Sequence, residues 1–406
     1  MRHNMAICCL VVVTAGVPGA AATYYVNPRT GGDNGDGSAE RPWKTLEQVA
    51  ASGRLEQLEG GDVVQLATGY HGAVEFSGEN EKTITIEAGP EQRPRLSRLV
   101  IGRGRNWHIR YLVISPSFGE KPCRGSIVSY GEAGPATDMI VEGCFIFTEQ
   151  DASDWTAKQW MAANSGVYLG RHGRGLVLRD SYILNTRFAV SLAAFDAVCE
   201  GNVIDGFSAD GVRATRDGQH VRHNVIKNIF VGSSEGDKNH DDGIQVFLFN
   251  KGTGTVRDIS IVGNIIIDHE MPGRKHATVM QGIGLFDGPL LDFVVSDNVV
   301  KTRHWHGVSL YDAQNCTVER NVAYTDAAGK MKPWIMLGDK HGKARDNTVR
   351  NNYAHRFRLD QPGTVAENNQ PVTAAIYRQA LERAFETIAE KYGRRHETAD
   401  RPRLGE

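Results

Sequence analysis

Apolar residues in the middle of this chain recur in a cadence: apolar-x-x-Asn-Val/Ile, a polar turn, then Gly-Val/Ile-x-Leu/Val. The asparagines are Asn202, Asn224, Asn264, Asn298, Asn321 and Asn352, at spacings of 22, 40, 34, 23 and 31 residues. The shortest spacings set the period, and the longer ones are the same unit with an enlarged loop. Each unit holds two or three short β-branched strands, too small to bury an apolar face alone, so its core must come from stacking on neighbours. No helical pattern separates the strands, so the chain reads as all-β, a parallel solenoid over residues 61–357. The recurring Asn belongs to the scaffold. At a tight corner its amide bonds backbone groups of its own turn, and amides stacked ~4.8 Å apart bond one another.

The period breaks at both ends. Tyr24-Tyr25-Val26 reads as a strand, and after a Gly/Asp-rich loop the apolar spacing at Leu46, Val49 and Ala50 becomes helical. That helix, within residues 23–60, would plug the open end of the first turn. Beyond residue 357 the solenoid pattern stops, leaving a tail over 358–406. Within it, Ala375, Ile376, Leu381, Ala384, Phe385, Ile388 and Ala389 trace one face of a helix over 372–391 that caps the end or docks on a flank. Non-repeating inserts occupy 147–165, with Trp155 and Trp160, and 232–241 and 268–280, which fall in consecutive turns and should lie side by side.

Composition narrows the compartment more than the chemistry. A net charge of −2 without a basic block argues against nucleic acid. Arg2, His3, an apolar run from Ala6 to Val13 and Ala20-Ala21-Ala22 form an export signal over 1–22, too short to span a membrane, which predicts a secreted or periplasmic protein. Four cysteines remain: Cys123, Cys144, Cys199 and Cys316. Their spacing matches no zinc pattern. Cys199 aligns with inward Val221, Ile261, Val295 and Val318, Cys144 occupies a ladder position, and an oxidising compartment would allow a Cys123–Cys144 bridge.

Aligning the strand that opens the second half of each turn exposes the candidate chemistry. Asp210-Gly211-Val212-Arg213, Asp242-Gly243-Ile244-Gln245, Gln281-Gly282-Ile283-Gly284 and His306-Gly307-Val308-Ser309 fall in one column. Alternation sends Val212, Ile244, Ile283 and Val308 inward and Arg213, Gln245 and Ser309 outward. The residue before each Gly is then Asp210, Asp242, Gln281 and His306, with Lys238, His240 and Asp241 beside Asp242. Stacked carboxylates raise one another's pKa unless a cation or proton lies between them, so the cluster is costly unless used.

The opening segment, Tyr24-Tyr25-Val26 followed by Pro42-Trp43-Lys44-Thr45, resembles exported proteins of the pectate-lyase-like superfamily. The resemblance implies a single chain wound as a right-handed parallel β-helix, and leaves the reaction open. Asp210 with Asp241-Asp242 resembles the acid and base of inverting polygalacturonase-like hydrolases, although His306-Gly307 comes one turn late and the Arg-Ile-Lys segment is absent. His240-Asp241 matches half of the Asp-Pro-His-Asp run of mannuronan-epimerase-like proteins.

Elimination from a uronate chain is the leading expectation. Asp210, Asp241 and Asp242 would hold Ca²⁺, Lys238, His240 or Arg213 would be the base, and Tyr311 the acid. Gln245, Gln281, His306, Arg216, Arg274, Lys275, His276 and Lys340 would line a groove for an acidic polysaccharide, with Trp155, Trp160 and Trp305 as stacking surfaces. Hydrolysis by the three aspartates, C5 epimerisation, and non-catalytic polysaccharide binding stand as alternatives.

Overall fold

A computed structural model describes residues 21–121, 123, 125–247, 256–270, 273–359 and 361–393. Most of the expected export signal, residues 1–20, lies outside them. The chain winds into a right-handed parallel β-helix whose strands form a 23-stranded, a 12-stranded and a small 3-stranded sheet. Each turn contributes up to three walls. The first carries 165–169, 190–192, 212–214, 242–246, 281–285, 306–311 and 334–338, and the second 198–200, 220–222, 260–262, 294–296 and 317–319. The third, which is the 12-stranded sheet, carries 203–207, 225–229, 265–267, 299–301 and 322–324. Two long strands, Ala73–Ala88 and Arg98–Arg110, bend through the first two walls and join them into one sheet.

Register follows the side chains. Val190, Val212, Ile244, Ile283, Val308 and Ile335 pair in succession up the first wall, all buried in one continuous core. Cys199, Val221, Ile261, Val295 and Val318 do the same on the second. A slip of one residue would turn every such column to solvent, which locks the register.

The corner between the second and third walls is an amide ladder. Asn202 Nδ2 donates to Asn224 Oδ1 at 3.0 Å, and the link repeats through Asn264, Asn298, Asn321 and Asn352 at 2.8–3.1 Å. Each amide also donates to a carbonyl of an adjacent turn, as Asn264 does to Val221 at 2.8 Å. The ladder continues toward the N-terminus through Ser181, whose N–H donates to Asn202 Oδ1 and whose hydroxyl accepts from the Cys144 N–H at 3.2 Å. Ahead of the rungs the backbone turns left-handed, with φ of 51° at Asp180, 56° at His223 and 59° at Asp297, and glycine takes that position without strain at Gly201 and Gly263.

Two expectations need correction. The turns do not end at 357: Val365–Glu367 and Gln370–Pro371 pair with the previous turn, and Asn369 accepts from Asn352 at 2.9 Å. Their side chains are largely exposed, because no further turn among the described residues stacks on them and no apolar period is required. Cys123 and Cys144 are not bridged; Cys144 is a core thiol facing the Glu142 carbonyl, and the half-buried Cys123 faces that of Ser126. Of the two places open to it, the C-terminal helix, Ala374–Tyr392, takes the flank and not the end. It lies on the outer face of the third wall, burying Tyr377 and Ile388. The opposite end is plugged by Leu46–Ala51, capped by Thr45, with Leu46 and Val49 in the core.

Candidate active site

The second wall offers little to a ligand. Outward Glu87, Arg110, Glu142, Arg179, Glu200 and Arg222 alternate in sign along the axis and pair among themselves. A cavity of about 760 Å³ lies between the C-terminal helix and the wall. Of the cations that line it, Arg320 is paired with Asp297 and Glu319, and Lys391 bonds His223. The first wall differs.

There the register places Asp210 and Asp242 on adjacent turns, and the Asp242 N–H donates to Asp210 Oδ1 at 3.2 Å. Both side chains are fully buried, and Asp241 keeps 9% of its surface. Arg213, three residues along, donates from Nε to Asp210 Oδ2 at 2.6 Å, while its guanidinium lies 3.7 Å over the Phe188 ring. Asn239 bridges the cluster, donating to Asp210 Oδ1 at 3.2 Å and accepting from Arg213 at 3.3 Å. Gln245 donates to Asp242 Oδ2 at 3.2 Å. The other oxygen, Asp242 Oδ1, has no partner among the described residues and lies over Gly284, where any Cβ would come within 2.2 Å. Asp241 Oδ1 is likewise without a partner, and its carbonyl accepts from the Gln281 N–H at 2.8 Å.

Burial raises all three carboxyl pKa values. For Asp241 burial and the charges of Asp237 and Asp210 outweigh Arg187, lifting it to about 8. For Asp242 burial and the Asp210 charge act together, and the shift is large. For Asp210 burial is opposed by Arg213 and by the N–H groups that bond its carboxylate, so of the three it is the one built to carry charge. Burial and the Asp210 charge favour the protonated form of Asp242, and Arg213 balances the charge on Asp210. The strip covering them is clamped by Arg187, which holds both oxygens of Asp237, and by His276, which pairs with Glu235. The inserts 232–241 and 268–280 do lie side by side: the Val231 N–H donates to the His276 carbonyl at 2.8 Å.

Other candidates are placed elsewhere. Arg213 is an ion-pair and stacking partner, not an available base. Lys238 and His240 are exposed on the rim. Tyr311 lies two turns beyond Asp242, against Phe286 and under Lys340, which removes it as the acid beside the aspartates. Trp160 is core, stacked at 4.2 Å on Phe230, and Trp155 packs edge-on against it, so neither Trp155 nor Trp160 forms a free sugar surface. Arg274 stacks on Phe230 and Arg216 on Phe195; only Lys275 of the expected cationic groove on that insert stays exposed. His306 bonds Ser309 Oγ at 3.0 Å and packs on Phe286 and Trp334.

The aspartates do not fit Ca²⁺. Both oxygens of Asp210 are engaged by N–H donors, Arg213 already supplies the positive charge, and no group of three His, Cys, Asp or Glu among the described residues is arranged for a metal. Sequence reasoning missed Phe188, Asn239 and the Arg187–Asp237 clamp. Extending the aligned column one turn toward the N-terminus, to Phe188-Ala189-Val190-Ser191, would have found the first.

No protein-family model and no curated protein matches the chain. Among solved structures it is similar to the GH136 lacto-N-biosidase of Eubacterium ramulus, with a TM-score of 0.54 and 15% identity over 87% of this chain and 68% of that one. It is also similar to a mutant tailspike protein of E. coli bacteriophage HK620 in complex with a pentasaccharide, with a TM-score of 0.50 and 14% identity over 86% and 65%. The chain thus spans about two thirds of each. At this identity the likeness shows a shared fold, the right-handed parallel β-helix.

Proposed function

We propose that this is an exported glycoside hydrolase that cuts a polysaccharide lying along the first wall. The observation that carries this reading is Asp241, a carboxyl with pKa raised to about 8, at the surface of a cluster whose remaining charge is held by Asp210 and Arg213. A carboxyl protonated at neutral pH is what a glycosidic oxygen needs as it leaves. Asp241 gives its proton to that oxygen, and the Asp210–Asp242 pair, which carries one negative charge, takes the proton of the attacking water at Asp242 Oδ1, the oxygen of the pair without a partner among the described residues. The named sugar-directed roles of the two similar structures support a carbohydrate substrate.

Hydrolysis is preferred to elimination because the base that elimination needs is not assembled. Arg213 is committed to Asp210, and Lys238 and His240 stand exposed outside the buried cluster. The test is incubation of the protein with a panel of uronate, sulfated and neutral polysaccharides, scored for new reducing ends and for ultraviolet absorbance of unsaturated products. Hydrolysis predicts reducing ends without absorbance, reduced ~10²–10⁴-fold by Asp241→Asn. Unsaturated ends would return the assignment to a lyase. Full activity in Asp241→Asn would remove the acid from its role.

A further inference from the structure

Two turns along the first wall from Asp242 the surface changes character. His306 stands on the turn above Gln281, and Trp334 on the one above that. Trp305 lies 5.8 Å from Trp334 with their planes 4° apart, and its carbonyl accepts the N–H groups of Gly307 and Trp334. Trp334 is fixed in turn, its Nε1 donating to Ser309 Oγ at 3.1 Å. A rigidly seated indole that leaves 46% of its residue exposed is a poor use of apolar surface unless something covers it.

Two cations converge on the same patch. The Arg358 guanidinium stands 5.1 Å over the Trp334 ring, and Lys340 Nζ 4.3 Å over Tyr311 while donating to the Phe286 carbonyl. Both are close enough to His306 to add to the effect of burial in holding its pKa down, at about 4. Among the described residues neither is paired with a carboxylate, unlike the arginines of the second wall. Turns are ~4.8 Å apart, close to the advance of one pyranose unit in an extended glycan. A chain running along the axis from Asp241 therefore brings its second or third sugar over Trp305.

We propose that Trp305, Lys340 and Arg358 form a subsite for a negatively charged sugar ring, which stacks on the exposed indole face while the two cations hold its anionic group. This rests on the reading of the first wall as the glycan track, and it names the substrate class as anionic. Planar apolar contact and charge pairing together discriminate against neutral glycans, which could use only the first.

The test is binding, so turnover is not required. Asp241→Asn protein is titrated, following tryptophan fluorescence, with hexasaccharides of galacturonate, of a sulfated galactan and of neutral xylan, at low and high salt. The expected result is salt-sensitive binding of at least one anionic hexamer, weakened about tenfold or more by Trp305→Ala and by Arg358→Glu with Lys340→Ala. The two anionic arms distinguish carboxylate from sulfate. Equal binding of the neutral hexamer, no binding by any hexamer, or anionic binding indifferent to these variants would overturn the subsite. Failure of the hydrolase reading is seen separately, as absent or elimination-type turnover in the unsubstituted protein.

Discussion

Arg213 holds the buried carboxylate of Asp210 through a 2.6 Å bond from Nε, and its guanidinium stands 3.7 Å over the ring of Phe188 on the turn before. The ring shields the guanidinium from water on one side, which strengthens the ion pair. Truncation to Ala would leave a buried carboxyl without its counter-charge. Arg213→Ala should therefore cost about 3–5 kcal/mol in urea unfolding. Asp210→Asn, which retains most hydrogen bonds, should cost clearly less. Equal losses in the two variants would mean that packing on Phe188, not charge, is what Arg213 supplies.

Asp241 makes stability depend on pH. In the unfolded chain an aspartate releases its proton near pH ~4, whereas in the fold Asp241 keeps it to about pH 8. Between those values the folded state binds more protons, so stability falls as pH rises through the window and levels off above it. The slope from this one group is at most ~1.4 kcal/mol per pH unit. Asp241→Asn should flatten the curve between pH 5 and 8, as chemical denaturation at a series of pH values would register. The same proton should give a descending limb of kcat near pH 8 in the unsubstituted enzyme. A pH-independent kcat through that range would rule Asp241 out as the acid.

Each amide of the ladder serves three turns. Asn264 accepts from the Asn224 side chain, donates to Asn298 and bonds the Val221 carbonyl. Replacing it with Ala orphans buried groups on both sides, at ~1–3 kcal/mol for each group left unsatisfied. Asn264→Ala should thus lower stability by several kcal/mol. Asn369→Ala, in the last and partly exposed rung, should cost far less. If the two substitutions were equivalent, the ladder would not be the cooperative element that its geometry describes.

The contrast between rungs and inserts also explains what could be read from residues alone. In a solenoid every turn repeats its neighbour's constraints, so the Asn spacing, the inward column at Cys199 and the rung at Cys144 are all written locally. Asp210 and Asp242 could be brought together because they occupy equivalent positions in that repeat. Inserts carry no such constraint. Trp160, Arg274 and His276 have the composition of a binding wall, yet burial on Phe230 and pairing with Glu235 use them for packing. The patch at Trp334 escaped the alignment because Pro333-Trp334 replaces the x-Gly of earlier turns and shifts the register at His306. The flank chosen by the C-terminal helix depends on which wall offers apolar side chains outward, Val299 and Val322 among them, which a one-dimensional pattern does not reveal.

Gly284 gives the sharpest test of the site's geometry. It faces outward on the turn above Gln245, and a methyl group there would stand 2.2 Å from Asp242 Oδ1 and 2.5 Å from the Phe286 ring. Neither neighbour can yield freely: the carboxyl is enclosed and bonded to Gln245, and Phe286 is wedged against His306 and Tyr311. Gly284→Ala should displace the Asp242 carboxyl from its place beside Asp210 and reduce kcat at least tenfold. The stability loss should be about 1–3 kcal/mol, the usual cost of overpacking. Gly273, where nothing lies within 4 Å of an added Cβ, is the matched control and should tolerate Ala with activity intact. If Gly284→Ala kept full activity, Asp242 would not need its observed position, and its Oδ1 could not be the atom that takes the proton of the attacking water.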